Sequence, residues 1–160
     1  MKKLFLFLFL SVPFMAMSQA NSGYTASYSS KFTIASPTYS DKILTLWKDF
    51  ENNTLDKHAD MLADTVTMML ANGAVVKGKA ENLKSVKEFR SSMQNYKVTI
   101  HAWVSLKSTD KNENVVCVWG SEEYTDKTGK QVKTGTHEVW VFNKDGKVGL
   151  MMQFASVQNM

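Results

Sequence analysis

Four residues able to move protons lie on stretches that read as β-strand. They are His101 in "YKVTIHAWVSL", Glu122 in "NVVCVWGSEEYT", and the adjacent pair His137 and Glu138 in "VKTGTHEVWVFN". An imidazole or a carboxyl set among apolar side chains can titrate near neutrality, so the chemistry in question is general acid/base catalysis or the seating of a ligand's polar group. Successive side chains of a strand point to opposite faces. Thr134, Thr136, Glu138, Trp140 and Phe142 therefore share one face, and Gly135, His137, Val139 and Val141 share the other. His137 and Glu138 cannot serve one cavity. A Glu138 surrounded by Trp140, Phe142, Met68 and Met151 would have its charged form disfavoured by desolvation. It would then act as an acid/base or ligand anchor, or else join a structural network with Thr136 or Gln153.

The second carboxyl does not complete a catalytic pair. Pairing through "DKTGK" sets Glu138 opposite Val118, with Glu122 four residues further along, about 13 Å away at strand spacing. That exceeds the separation of a glycosidase-type carboxylate pair, and no shared-proton dyad is expected. His101 shares a face of its strand with Trp103 and is a candidate pocket residue, while His58, near the end of a short helix, is expected in solvent. Cys117 is the one cysteine, in the apolar setting "NVVCVWG". A thiol nucleophile needs an electropositive, accessible site, so a packing role is expected instead. The three histidines are far apart, with no HxH or HxxxH spacing, so no metal is expected. "KTGKQVKTG" is a hairpin rather than a strand-to-helix phosphate cradle, and no cofactor is indicated.

The elements that must position these residues follow from pattern. "MKKLFLFLFLSVPFMAMSQA" has a basic start, a short apolar core and a small-residue end, the form of a secretory signal over 1–20. Removing it leaves 140 residues, one domain's worth, with 17 basic against 15 acidic side chains. No clustered basic footprint survives, so no nucleic acid is expected as a partner, and no second membrane span follows the signal. Residues 21–39 are rich in Ser and Thr and read as a tether with a short ordered piece at "KFTIA". The domain proper is expected over 40–158.

Ser40 is read as the cap of a first helix whose Ile43, Leu46, Trp47 and Phe50 form one apolar stripe, ended by Asn52 and Asn53. A short second helix carries Leu55, Ala59 and Leu62. "TVTMML" alternates as a strand, "ANGAVVKG" reads as a turn, and a third helix is expected over 79–93, with Glu81–Lys84 and Lys84–Glu88 pairs on its wet side. Four long strands follow, separated by "KSTDKNE", "DKTGK" and "KDGK". Both faces of the later strands are apolar, so both should be covered: one by helices, the other by a second copy of the sheet.

This order of elements, with "NNTLDKHADMLADTV" and "VFNKDGKV", resembles the nuclear transport factor 2-like (NTF2-like) superfamily, in its SnoaL-like and ketosteroid-isomerase-like branch, over about residues 40–157. The resemblance implies an α+β fold, a cone-shaped curved antiparallel sheet wrapped over three N-terminal helices (the cystatin-like α+β roll). It places the Glu138 face inside the cone and implies a homodimer through the outer sheet face of Cys117, Trp119, His137, Val139 and Val141. Of three ketosteroid-isomerase site positions only the second oxyanion acid keeps its chemistry, at Glu138. The catalytic base falls at Leu70 and the oxyanion tyrosine at Leu46 or Trp47, so steroid isomerisation is not expected.

Three readings stay open. The first is an exported domain, periplasmic or secreted, that binds a small, largely apolar molecule among Trp47, Met68, Trp103, Val118, Glu122, Glu138, Trp140, Met151 and Gln153. The second is a SnoaL-like cyclase, isomerase or hydratase using Glu138 with His101. The third is a ligand-free dimerisation module whose cone is filled by side chains.

Overall fold

A computed structural model describes residues 23–157, and the expected export signal lies outside the described residues. The elements run β1 (Phe32–Ile34), α1 (Pro37–Asn52), a 3-10 helix (Leu55–Met61), β2 (Leu62–Met69), β3 (Val75–Lys77), α2 (Lys79–Ser91), β4 (Gln94–Ser108), β5 (Glu113–Thr125), β6 (Gln131–Phe142) and β7 (Val148–Val157). They build one seven-stranded sheet in the order β1-β4-β5-β6-β7-β2-β3. The meander from β4 to β7 is antiparallel, whereas β2 pairs parallel to β7, so the sheet is mixed rather than wholly antiparallel. With its three helices this is the expected α+β cone.

Helix α1 begins earlier than the expected Ser40 cap. Ser36 accepts from the Thr38 amide at 3.3 Å and Pro37 opens the helix, the usual place for a residue without an amide hydrogen. Ser40 is instead buried, its amide donating to Ser105 Oγ at 3.1 Å across to β4. Asn53 ends the helix in the left-handed region, φ 56°. The apolar stripe behaves as read: Ile43, Leu46 and Trp47 pack with Leu62, Val66, Met68, Val116, Val118, Trp140 and Met151 into one core. Leu62 belongs to β2 rather than to the short helix.

Further expectations change. The "KFTIA" piece is β1, which pairs with Leu106–Ser108 of β4 and extends the sheet. Within the supposed turn "ANGAVVKG", Val75–Lys77 pairs with Thr67–Met69 as β3. Neither expected Lys84 pair, with Glu81 or with Glu88, is among the ion pairs of the described residues; Lys79 and Lys87 instead reach other elements, pairing with Asp64 and Asp56. His58 is not simply solvated either. Its Nδ1 meets Asp49 Oδ2 at 2.6 Å, and Thr54 donates to the other oxygen of that buried carboxylate. This small network ties the end of α1 to the 3-10 helix.

Candidate functional site

Between the inner face of the sheet and the helices lies a cavity of about 500 Å³. Glu138 stands on the wall formed by β6, and its surroundings follow from register. Trp140 is the next residue on the same face of β6, and Gln153 is the direct cross-strand partner on β7. Both donate to the carboxyl: Trp140 Nε1 to Oε2 at 3.0 Å and Gln153 Nε2 to Oε1 at 3.0 Å. Gln153 is oriented in turn by a long contact, 3.5 Å, from the Ala71 amide to its own oxygen. Glu138 is thus buried with a donor on each oxygen.

Burial is the main cause that lifts the Glu138 carboxyl to about 7, and the negative charge of Glu122 adds to the rise. Gln153, Trp47 and Trp140 oppose it by favouring the anion. The Trp47 indole N–H faces the carboxyl closely enough to act on it, yet lacks hydrogen-bond geometry and has no partner in the protein. Thr136 Oγ1, also on the cavity wall, is likewise buried and unpartnered. Glu122 lies further along the same wall on β5, raised by burial and partly offset by the Tyr96 phenol. That phenol is itself pushed up by burial first and by Glu122 second. No hydrogen bond joins Glu122 to Glu138 among those of the described residues, in keeping with the separation read from the strand register.

Trp47 is held in place by a missing side chain. A Cβ at Gly120 would come within 2.9 Å of the Thr99 carbonyl and 3.1 Å of two ring carbons of Trp47. The indole therefore lies against bare backbone. A Gly120→Ala substitution must displace either the strand or the indole, with an expected loss of about 1–3 kcal/mol. Urea unfolding checks this, and a shifted tryptophan emission would accompany it.

The cavity brings together Trp47, Met68, Glu122, Glu138, Trp140, Met151 and Gln153 of the residues expected there. Four others fall elsewhere. A bulge between Ile100 and Ala102 breaks the alternation of β4 and turns His101 to the outer face, where its Nε2 meets Ser121 Oγ at 3.1 Å. His101 therefore does not join Glu138. Trp103 pairs with Val118 but is 53% exposed, on a part of β4 that β1 does not reach, and it does not line the cavity. Val118 and Phe142 are fully packed core residues beneath the cavity wall.

On the outer face His137 stacks on Trp119, ring centroids 4.7 Å apart and 6° from parallel, with Phe154 beside it at 5.9 Å. Cys117 is half-buried, its thiol pushed up by burial, which opposes the thiolate a nucleophile needs. Among the described residues no cluster of three metal-ligating side chains occurs.

Sequence reading missed the opposite wall. Asn82, Ser85, Val86 and Phe89 of α2 line the cavity, as do Phe50 of α1 and Leu70 and Asn72 after β2. Leu83, Val86 and Phe89, each three residues on, form an apolar stripe that the sequence of α2 carries. Asn82 carried no such signal, because a polar side chain in a helix reads as surface.

No family model matches the chain, and no curated protein matches it in sequence. Solved structures do match. The epoxide hydrolase/cyclase-like enzyme SalBIII, described for pyran ring formation in the polyether salinomycin, is 15% identical with a TM-score of 0.60, over 74% of this chain and 91% of that one. IdmH, a putative polyketide cyclase from Streptomyces antibioticus, is 13% identical with a TM-score of 0.59, over 74% and 91%. An NTF2-like protein of unknown function from Cytophaga hutchinsonii is 15% identical with a TM-score of 0.53, over 72% and 97%. Identities this low carry the fold and not the activity. The chain has the NTF2-like fold, in the form shared by cyclase-like enzymes and by proteins with no assigned function.

Proposed function

We propose that this is an exported small-molecule-binding domain, whose ligand seats a polar group at Glu138 and an apolar body against the rings and methionines of the cone. One observation carries the reading: a buried carboxyl, two unpartnered polar atoms (Trp47 Nε1 and Thr136 Oγ1) and an apolar wall converge on one cavity. Pockets of about 300–1,000 Å³ with few, convergent polar groups are of the size that small ligands occupy. A ligand-free module predicts a cone filled by side chains, and the cavity of about 500 Å³ argues against it. Acid/base catalysis predicts a second proton carrier within reach of Glu138. Its hydrogen-bonded neighbours are an indole and an amide, which favours binding over turnover.

Export is proposed from the pattern of residues 1–20, and a homodimer from the outer face. Trp119 and Phe154 stand 39% and 56% exposed there, beside half-buried Cys117, Val139 and Val141. Native mass spectrometry of the protein from its own exported fraction tests these points together. A dimer carrying a small-molecule adduct is the expected result. A clean monomer would overturn the account of the outer face, and a dimer bare under every metabolite offered would overturn the binding function.

A further inference from the structure

The charges of the cavity wall restrict what it can hold. Its two ionisable acids are Glu122 and Glu138, and among the described residues no lysine, arginine or histidine lines it. The other titratable neighbours are phenols, Tyr124 on the wall and Tyr96 behind it. Arg90 of α2 lies over the Tyr96 ring at 4.6 Å and spends its donors on the backbone carbonyls of Phe50, Glu51 and Met93. An anionic ligand would therefore meet two acids and no counter-charge. The wall also carries five aromatic side chains, Trp47, Phe50, Phe89, Tyr124 and Trp140. Rings and carboxylates together form a setting for an organic cation.

We propose that the cavity takes an organic cation with an apolar body, an amine or quaternary ammonium held by the negative charge of Glu138 and Glu122 and by the surrounding rings. This rests on the reading of the cavity as a ligand site and adds the ligand's charge to it. The arrangement around Glu138 suits it: two donors already hold the carboxyl in place, leaving its remaining lone pairs and its charge for the ligand. Burial favours the protonated form of both acids, and at Glu138 the charge of Glu122 adds to this. A cation replaces those protons, so its binding releases them and strengthens as pH rises through the range where Glu138 ionises.

A matched set of probes on one skeleton tests this. 1-Adamantyltrimethylammonium, 1-adamantanemethanol and 1-adamantanecarboxylate differ in charge and little in shape. Calorimetric titration at about pH 8 is expected to rank cation above alcohol above carboxylate, with the cation at least about tenfold tighter than the alcohol, as two nearby negative charges in a low-dielectric wall require. That advantage, read as the ratio of cation to alcohol affinity, should shrink several-fold at about pH 6 and in both Glu138→Gln and Glu122→Gln. Using two separate variants guards against one of them misfolding. Heats measured in buffers of different ionisation enthalpy should report proton release on cation binding. If the alcohol binds as well as the cation, the charge preference is overturned and the ligand-site reading stands. If none of the three enters, both fall together.

Discussion

Replacing Glu138 by Gln is expected to make the protein more stable at about pH 8 and less stable at about pH 5, with the two stability curves crossing between. The folded carboxyl is raised from an ordinary 4.5 to about 7. The folded state therefore holds the proton more tightly than the unfolded chain does. Its stability is highest below the unfolded value and falls as pH rises through the folded one. A shift of this size costs about 2–3 kcal/mol between about pH 5 and pH 8. Glutamine carries no charge and removes that cost.

It also introduces a smaller cost of its own. Trp140 and Gln153 both donate to Glu138, and an amide oxygen cannot serve both as a carboxylate does. The loss is about 1 kcal/mol and nearly independent of pH. The acids held below their ordinary range, Asp64, Asp110, Glu123 and Asp126, act in the opposite direction and only at lower pH. They do not mask the crossing. Denaturant melts of both proteins across this range would reveal it, and parallel curves would contradict the placement of the charge.

Asn82→Leu is expected to cost about 1–3 kcal/mol. Asn82 is 1% exposed in the first turn of α2. Its side-chain amide lies 3.2 Å from the Val66 carbonyl of β2, 3.2 Å from that of Val76 in β3, and 2.8 Å from that of Gly78, which leads from β3 into α2. One amide thus joins the helix start to two strands. Leucine fills a similar volume but removes the side-chain donor that ties the helix start to both strands. The Val66 and Gly78 carbonyls keep only their backbone donors, the Gly78 and Asn82 amides, and the α2 wall of the cavity should loosen. Urea midpoints measure the first effect. Faster hydrogen exchange at residues 79–86, relative to the β5 and β6 core, would show the second. An unchanged midpoint would mean that the three carbonyls are satisfied without Asn82.

Much of this site was legible because strand alternation is a strict rule. Once Glu138 was placed on the Trp140 face, and "DKTGK" set the register against Val118, the separation of Glu138 from His137 and its distance from Glu122 followed. The structure has that same register, Glu138 against Val118 and His137 against Trp119. The rule failed where the backbone departs from it. One bulge in β4 reversed His101, and nothing local in "TIHAW" marks it.

The other misses are long-range. The piece at "KFTIA" is expected to be ordered, but its place in the sheet as β1 depends on the edge that Leu106–Ser108 offers. β3 gains its pairing only from β2. Asp49 and His58 look like surface residues until the chain turns at Asn53 and brings them together. The SP pair at 36–37 did carry a helix-start signal, and Ser40, four residues later, competed for the same reading.

The central claim is that a buried, protonatable Glu138 is the polar anchor of the cavity, and 13C NMR titration of the glutamate side-chain carboxyls tests it most directly. The structure predicts one carboxyl with a midpoint near 7, lost in Glu138→Gln and displaced when a ligand enters. If every glutamate titrates below about 5, the ordinary range for exposed carboxyls, Glu138 is hydrated and the account of the site is wrong.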